Sequence, residues 1–153
     1  MNRAEAIQSI LNRHEDAFFI FSNGLTSREA AYYCKRSGSL YMLHAMGEAL
    51  SVGMGLASAR PDLQIVVIDG DGNALMGSSS WVMNDFDNLE YYVLANRMFA
   101  TTGGQALPEK VKWPEWSRIV PIKNKPSEPT PPPPSPEDIW KGLNPWIKKR
   151  TGK

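Results

Sequence analysis

The chain offers almost no means of covalent cross-linking, since Cys34 is the single cysteine among its 153 residues. An internal disulfide is therefore excluded, and the composition favours a reducing compartment. No charge of one sign predominates, because 17 Lys and Arg residues offset 16 Asp and Glu residues, which argues against a nucleic acid or an anionic membrane as partner. No apolar run approaches the ~20 residues that cross a bilayer. The N-terminal segment carries Arg3, Glu5, Arg13 and Glu15 where a signal peptide would be apolar, so we expect a cytoplasmic location.

Short apolar segments alternate with helical patterns along the chain. Strands are predicted at 17–21, 40–43, 64–69 and 89–95. Helices are predicted at the N-terminus, where Asn2 is a candidate cap, around Ala30, at 46–59 and at 74–84. This alternation predicts an α/β fold, a doubly wound parallel sheet flanked by helices. Right-handed crossovers then bring four loops to one edge of the sheet, at 22–27, 44–47, 70–73 and 96–104.

Polar oxygen ligands follow two of the predicted strands. The apolar run Val66–Ile68 leads into Asp69-Gly70-Asp71-Gly72, and Asn96 comes directly after the strand at 89–95. Open parallel sheets bind their ligands at the carboxyl ends of the strands. A carboxylate, an amide oxygen and backbone carbonyls suit Mg²⁺, which usually completes its shell with water and substrate phosphates. The sequence therefore predicts a site for a magnesium-bridged diphosphate.

These loops share parts of their sequence pattern with three other kinds of segment. An EF-hand requires glycine and glutamate where this chain has Ala74 and Ser80, so that interpretation fails. The segment 53–58 imitates a dinucleotide fingerprint but lacks its third glycine and does not follow a strand. Taken alone, the Gly70–Gly72 motif is equally compatible with an ordinary strand-to-helix turn that has a capping aspartate.

The C-terminal third has a different composition. Residues 126–136 contain seven prolines, and this density predicts an extended polyproline II arm between a domain at 1–125 and a docking segment at 137–153. A stiff arm is favoured over an SH3-type ligand, because the run lacks a flanking basic signature. Trp140 and Trp146 are expected to dock on this protein or on a partner.

Four ordered motifs resemble a known family. They are Gly70-Asp71-Gly72 followed by Asn96, the octapeptide Ser-Asn-Gly-Leu-Thr-Ser-Arg-Glu at 22–29, Leu-Tyr-Met-Leu-His-Ala-Met-Gly at 40–47, and Thr-Thr-Gly-Gly-Gln at 101–105. Together they resemble the cofactor-binding (PP) domain of the thiamine diphosphate-dependent enzymes, in the branch of phosphonopyruvate decarboxylase and the sulfopyruvate decarboxylase beta subunit. The resemblance covers residues 1–105. After Gln105 the chain is shorter than the family pattern.

The resemblance implies a set of site residues and two cofactors, thiamine diphosphate and Mg²⁺. The implied metal ligands are Asp71, the Asn96 side chain and the backbone carbonyl of Met98. The implied cofactor-binding residues are Asn23, Gly24, Thr26, Ser27, His44, Met46, Gly70, Gly72, Asn73, Asn96 and Met98.

Two of these residues, His44 and Met46, are implied to act in catalysis. Met46 matches the bulky residue that holds the cofactor bent, although a methionine in such a sequence is more often plain core. The backbone carbonyl of His44 would orient the cofactor's exocyclic amine. The His44 side chain is either a catalytic base or merely tolerated beside that contact.

The resemblance also implies a reaction, the non-oxidative decarboxylation of a small 3-substituted pyruvate bearing phosphonate or sulfonate. Arg28, Arg97 and Gln105 are candidate donors to that substituent, with a solvated or structural ion pair as the favoured role of Arg28. No segment resembles the family's pyrimidine-binding domain, so we expect a chain that is inactive alone and forms a homo-oligomer together with a pyrimidine-domain subunit. The alternative is a non-catalytic module that binds thiamine diphosphate or regulates a partner.

Overall fold

The computed structural model describes residues 1–124 and 129–151. Residues 126–128 of the predicted proline-rich arm and 152–153 of the predicted docking segment lie outside the described residues. None of the helices in the described ranges is both long and apolar enough to cross a membrane.

A parallel sheet forms the centre of the fold, as the sequence predicts, and it has five strands. They are β1 (Phe18–Phe21), β2 (Ser39–Tyr41), β3 (Ile65–Gly70), β4 (Leu89–Ala95) and β7 (Arg118–Pro121). Two further strands, β5 (Met98–Phe99) and β6 (Gln105–Ala106), form a separate antiparallel pair. The five strands of the parallel sheet lie in the order β2-β1-β3-β4-β7, and every neighbouring pair is parallel. The chain moves outward in one direction from β1 to β2 and in the other direction from β3 onward. The strand order therefore reverses between β1 and β3, which is where open sheets of this kind form a ligand crevice.

Helices cover the sheet. They are α1 (Arg3–Arg13), α2 (Leu25–Tyr33), α3 (Ala49–Ala59), α4 (Asp71–Met76) and α5 (Pro136–Thr151). The predicted cap of α1 is present as a capping box, in which the Asn2 side chain accepts from the Glu5 backbone and the Glu5 side chain accepts from the Asn2 backbone.

The single helix predicted at 74–84 is wrong in detail. The α-helix begins earlier, at Asp71, and ends at Met76, and a 3-10 helix occupies Ser78–Met83. The break falls at Gly77, whose backbone lies against the loop at Gly47, so that an added Cβ would come within 2.0 Å of the Gly47 carbonyl oxygen. Backbone contact between the two glycines thus interrupts the helical pattern that the side chains indicate.

The hydrophobic core has two halves because successive strand residues point to opposite faces of the sheet. On β1, Phe19 and Phe21 pack with α1 and α2, whereas Phe18 and Ile20 pack with α3. Helix α3 approaches the sheet very closely, since a Cβ at Gly53 would meet Val67 Cγ2 at 2.4 Å. The small residues of 46–59 therefore allow the close packing that their composition predicts.

The C-terminal segment returns to the far edge of the sheet. Helix α5 contacts β2, and the Trp146 ring lies 4.9 Å from the Phe18 ring, centroid to centroid. Trp140 is exposed. Pro131, which belongs to the predicted proline-rich arm, lies beside α2, where Arg28 Nε donates to its carbonyl oxygen. Arg28 thus contacts this segment, and no ion pair of Arg28 occurs among the described residues.

Candidate functional site

A cleft opens at the carboxyl edge of the sheet, where the strand order reverses. Its walls come from the loop after β1, the start of α4 after β3, the loop after β4 and the segment around Met46. It contains all the predicted metal and cofactor residues except Ser27 and His44, namely Asn23, Gly24, Thr26, Met46, Gly70, Asp71, Gly72, Asn73, Asn96 and Met98. Residues from four separate loops thus meet at one site.

The carboxylate of Asp71 lies at the base of this cleft and is 2% exposed. One oxygen accepts from the backbone N–H of Gly72 at 2.9 Å, and the other accepts from the backbone N–H of Arg97 at 2.5 Å. Burial raises the pKa of Asp71, whereas backbone N–H groups, first that of Arg97, act in the opposite direction. Each carboxylate oxygen has a further lone pair, so this carboxylate is held in place and can still bind a cation.

The other two predicted metal ligands are close in sequence and face the same cleft. Asn96 Oδ1 accepts from the backbone N–H of Met98 at 3.4 Å, and Asn96 Nδ2 donates to Asn124 Oδ1 at 3.3 Å. Arg97, between them, has a φ of 62°, a left-handed conformation that is uncommon for a residue other than glycine. This backbone turn directs the Arg97 N–H onto Asp71 and so links the loop after β4 to the carboxylate that is predicted to bind the metal.

Asn73 joins three loops through its side chain, a role that the sequence does not indicate. Its Oδ1 accepts from the backbone N–H of Gly47 at 2.8 Å, and its Nδ2 donates to the Asn23 carbonyl at 3.2 Å. The predicted side-chain contact from Asn73 to a diphosphate would compete with these bonds. Its position in the cleft still allows a contact through the backbone of the first turn of α4.

The start of α2 provides donors suited to an anion. Helix α2 begins at Leu25 after Gly24, which has a φ of 84° and no side chain with which to cap the helix. The first backbone N–H groups of a helix lack intrahelical partners and carry the positive end of the helix dipole. Thr26 adds a hydroxyl at the cleft wall. Asn23 Oδ1 is buried without a hydrogen-bond partner among the described residues.

Two predicted site residues lie elsewhere. Ser27 is buried, and its hydroxyl lies within hydrogen-bond distance of the carbonyl oxygens of Phe21, Ser22 and Met42. It therefore joins the ends of β1 and β2 below the cleft wall. His44 is exposed and has a φ of 58°. Its side chain does not line the cleft, and its predicted backbone contact with the cofactor stays a prediction.

Asp69, which precedes the motif, also lies outside the cleft. It is 1% exposed, and it accepts hydrogen bonds from the Tyr91 hydroxyl at 2.9 Å and from the Gly70 backbone N–H at 2.8 Å. Burial raises the pKa of this carboxyl to about 6, against the opposing effects of hydrogen bonds from Ser22 and Tyr91. Its contacts hold the end of β3, so of the two aspartates only Asp71 faces the cleft.

Arg3 is a charged cleft residue that sequence reasoning missed. It is the first residue of α1 and is 7% exposed, and it lines the cleft together with Asp71 and Thr26. Its Nη1 donates to Glu29 Oε1 on α2 at 2.8 Å. A buried arginine near the N-terminus has no local signature, because its partner is 26 positions away.

The donor set at the cleft is compatible with Mg²⁺ and a diphosphate. No group of three or more His, Cys, Asp or Glu side chains gathers within the described ranges in a way that could hold a metal ion. A site that relied on such side chains is thus absent there, and the available set is one carboxylate, one amide oxygen and backbone carbonyls. Mg²⁺ accepts such a sparse set because it keeps several waters and binds the phosphates of its ligand.

Comparison with known proteins identifies a domain that binds thiamine pyrophosphate. The model of the C-terminal TPP-binding domain of thiamine pyrophosphate (thiamine diphosphate, TPP) enzymes matches residues 22–138. The sulfopyruvate decarboxylase subunit beta of Methanothermobacter thermautotrophicus is 39% identical over 108 residues, which cover 69% of this chain and 58% of that protein. The phosphonopyruvate decarboxylase of Streptomyces hygroscopicus is 39% identical over 67% of this chain and 26% of its own length.

A relative of a third kind is the 2-oxoglutarate synthase subunit KorB of Methanocaldococcus jannaschii, which is 32% identical over 68% of this chain and 38% of its own length. The match to this chain spans little more than half of the sulfopyruvate decarboxylase beta subunits and less than half of the other relatives named here.

Proposed function

The chain belongs to the thiamine pyrophosphate enzymes, whose C-terminal TPP-binding domain it carries, and we propose that it is the Mg-TPP-binding subunit of a decarboxylase for small 2-oxo acids. The observation that carries this proposal is the cleft between β1 and β3, which is lined both by Asp71 and Asn96 and by Leu25 and Thr26 in the first turn of α2. Oxygen atoms suited to a cation and N–H groups suited to an anion therefore occur in one cleft. This pairing suits a metal-bridged diphosphate.

The proposed roles follow from these positions. Asp71, the Asn96 side chain and the Met98 carbonyl would bind Mg²⁺, while Asn23, Gly24, Thr26 and the backbone of Gly70–Asn73 would hold the diphosphate. Bound TPP supplies the carbon nucleophile and the electron sink for decarboxylation. The chain's own residues provide charge neutralisation and orientation.

Met46 and His44 are proposed to position the reactive end of the cofactor. Met46 is 39% exposed at the rim of the cleft, so a bound ligand can cover its side chain without displacing any core contact. The left-handed φ of His44 is an unusual conformation for a residue other than glycine, and such conformations are often found at functional sites. We assign the contact to the backbone carbonyl of His44, because its side chain is exposed and outside the cleft.

We infer the substrate and the partner from the relatives. Sulfopyruvate decarboxylase beta subunits and phosphonopyruvate decarboxylases support a 3-substituted pyruvate as substrate. The designation of the first relatives as subunits supports a separate partner subunit. We propose that this partner carries the pyrimidine-binding domain, that the chain is inactive without it, and that the chain also forms a homo-oligomer. Exposed apolar side chains near the cleft, Met46 and Met76, support a surface that another subunit covers. A cytoplasmic location remains part of this proposal.

Calorimetric titration of Mg-TPP into the chain tests the cofactor site. Asp71→Asn should abolish magnesium-dependent binding, because a neutral amide cannot offset the charge of the metal ion. Asp87→Asn is the matched control, since Asp87 is exposed and outside the cleft. Equal affinity of the wild type and Asp71→Asn would contradict the metal assignment.

The reaction is tested with the chain and its pyrimidine-domain partner mixed in the presence of Mg²⁺ and TPP. Carbon dioxide release is followed from pyruvate, sulfopyruvate and phosphonopyruvate. Release from either substituted pyruvate at a higher kcat/KM than from pyruvate supports the proposed substrate class. Tight TPP binding without release from any of the three would favour a non-catalytic TPP-binding module.

A further inference from the structure

The cleft contains a cation that the proposed roles leave unused. Arg3 is 7% exposed and lines the cleft, and its Nη1 donates to Glu29 Oε1 at 2.8 Å. Glu29 is itself 1% exposed, so the ion pair lies between α1 and α2. Burial of such a pair is costly unless the remaining donors and acceptors are also satisfied.

The guanidinium of Arg3 has donors to spare. It carries five N–H groups, and the one hydrogen-bond partner recorded for it among the described residues is Glu29. Buried side-chain atoms without a partner occur at Asn23, Ser39, Trp81 and Asn84 in the described ranges, and Arg3 is not among them. The unpartnered N–H groups of Arg3 are therefore accessible, and Arg3 borders the cleft.

Arg3 and Asp71 line the same cleft. A diphosphate bound beside the carboxylate of Asp71 would therefore lie near the positive charge of Arg3 as well as near the metal ion.

We propose that Arg3 is a further diphosphate-binding residue, held at the cleft wall by Glu29 so that its remaining N–H groups donate to the phosphate oxygens. This inference rests on the proposed function. Arginine suits the role because its planar fork can bind a carboxylate on one side and a phosphate on the other. While no ligand is bound, Glu29 balances the charge of Arg3. When a ligand is bound, Glu29 keeps the guanidinium of Arg3 oriented towards it.

The alternative is that the pair only ties α1 to α2. Such a tie would affect folding stability and leave ligand affinity unchanged once the fold is intact. Replacement of both partners by apolar residues often has little effect on stability, which makes the double variant Arg3→Met/Glu29→Leu informative if Arg3→Met alone does not fold.

The test is calorimetric titration of Mg-TPP and, separately, of magnesium pyrophosphate into the wild type, Arg3→Met, Arg3→Lys and the double variant. Pyrophosphate has no rings, so its binding reports only the contacts to the diphosphate and not those to the two rings of TPP. Arg60→Met is the charge-matched control, because Arg60 also pairs with an acid, Asp62 at 2.6 Å, but lies outside the cleft. Thermal melting of each variant reports any purely structural effect.

We expect Arg3→Met and the double variant to bind both ligands at least about tenfold more weakly than the wild type, with Arg3→Lys in between and Arg60→Met unchanged. If the wild type binds both ligands and the folded Arg3 variants bind them within about twofold of it, the inference is overturned and the proposed function stands. If the wild type binds neither ligand, the proposed function is overturned together with it.

Discussion

The backbone N–H of Gly47 donates a hydrogen bond to Asn73 Oδ1 at 2.8 Å, across 26 positions of sequence. The other end of the same amide donates to the Asn23 carbonyl at 3.2 Å. One side chain therefore ties the loop that carries Met46 to the loops that follow β1 and β3. This bridge therefore helps to fix the spacing of the loops that line the cleft, in addition to the hydrogen bond from the Ser22 N–H to the Ile68 carbonyl on β3.

Replacement of this bridge should weaken the site and the fold together. Asn73→Ala removes a partner from the Gly47 N–H and from the Asn23 carbonyl, and we expect a loss of about 1–3 kcal/mol in the free energy of unfolding. Mg-TPP affinity should fall as well, because the loops lose their fixed spacing. Urea denaturation and calorimetry measure the two effects.

Asn88→Ala is the control for this prediction. Asn88 Nδ2 also bridges chain segments, lying within hydrogen-bond distance of the carbonyls of Ala57, Arg60 and Leu63, but it lies outside the cleft. We expect a similar loss of stability with unchanged cofactor affinity. An equal loss of affinity in both variants would mean that Asn73 acts through general stability alone.

Two glycines of α3 should respond in opposite ways to replacement by alanine. A Cβ at Gly53 would lie 2.4 Å from Val67 Cγ2, so Gly53→Ala forces the helix away from the sheet and should destabilise the protein by about 1–3 kcal/mol. No described atom lies within 4 Å of a Cβ at Gly55. Gly55→Ala should therefore stabilise the helix by roughly 0.5–1 kcal/mol. The midpoints of urea denaturation measure both effects, and a midpoint of Gly53→Ala equal to or above that of the wild type would contradict the close packing of α3.

Cys34 should be unreactive in the folded state and should make stability depend on pH. Burial, followed by the negative charge of Glu29, raises the pKa of the thiol from 9.0 to about 11. Alkylation at pH 8 should be slow until the protein is denatured. Because the folded pKa is the higher one, the contribution of the thiol to stability is complete below pH 9 and is lost as the pH rises towards 11.

A Cys34→Ala variant isolates this effect from the other groups that titrate in the same range. Relative to the variant, the wild type should lose on the order of 2 kcal/mol of unfolding free energy as the pH rises through that window. Parallel stability curves for the two proteins from pH 8 to pH 11 would show that the thiol ionises alike in the folded and unfolded states.

The docking of α5 should depend on one of its two tryptophans. Trp146 packs on Phe18, and a Cβ at Gly38 would lie 2.5 Å from Trp146 Nε1. Trp146→Ala should therefore release α5 from β2 and cost about 2–4 kcal/mol of stability, somewhat less than full core truncation because the residue is partly exposed. Denaturation and limited proteolysis of the C-terminal helix report both consequences. Trp140→Ala is the control, since Trp140 is exposed, and equal effects of the two would contradict the docking seen here.

Local patterns in the sequence identify most elements of this fold. Strand β4 is observed at 89–95, as predicted, because a run that is apolar except for Glu90 and has turn residues on both sides is a local signal. The capping box of Asn2 and Glu5 is equally local. The division of 71–83 into two helices was not predictable in this way, since Gly77 is constrained by a backbone contact with Gly47, 30 residues away in the chain.

The four sequence motifs likewise indicate which loops meet at the edge of the sheet, but they do not indicate which side chains line the cleft. Thr26 and Ser27 are neighbours in one motif, yet Thr26 lines the cleft while the Ser27 hydroxyl turns towards the carbonyls of the strand ends. Successive helical residues point about 100° apart, so the packing of α2 on the sheet decides which of them faces outward.

The sequence by itself thus determined the parallel α/β sheet, the loops at its carboxyl edge and the positions of Asp71 and Asn96 after two of its strands, because periodicity and spacing are properties of neighbouring residues. Only the tertiary structure decided that Arg3 borders the cleft, that Asn73 bridges its loops and that Ser27 lies beneath it. Those assignments depend on contacts between distant segments, and such contacts exist only after the helices have packed against the sheet.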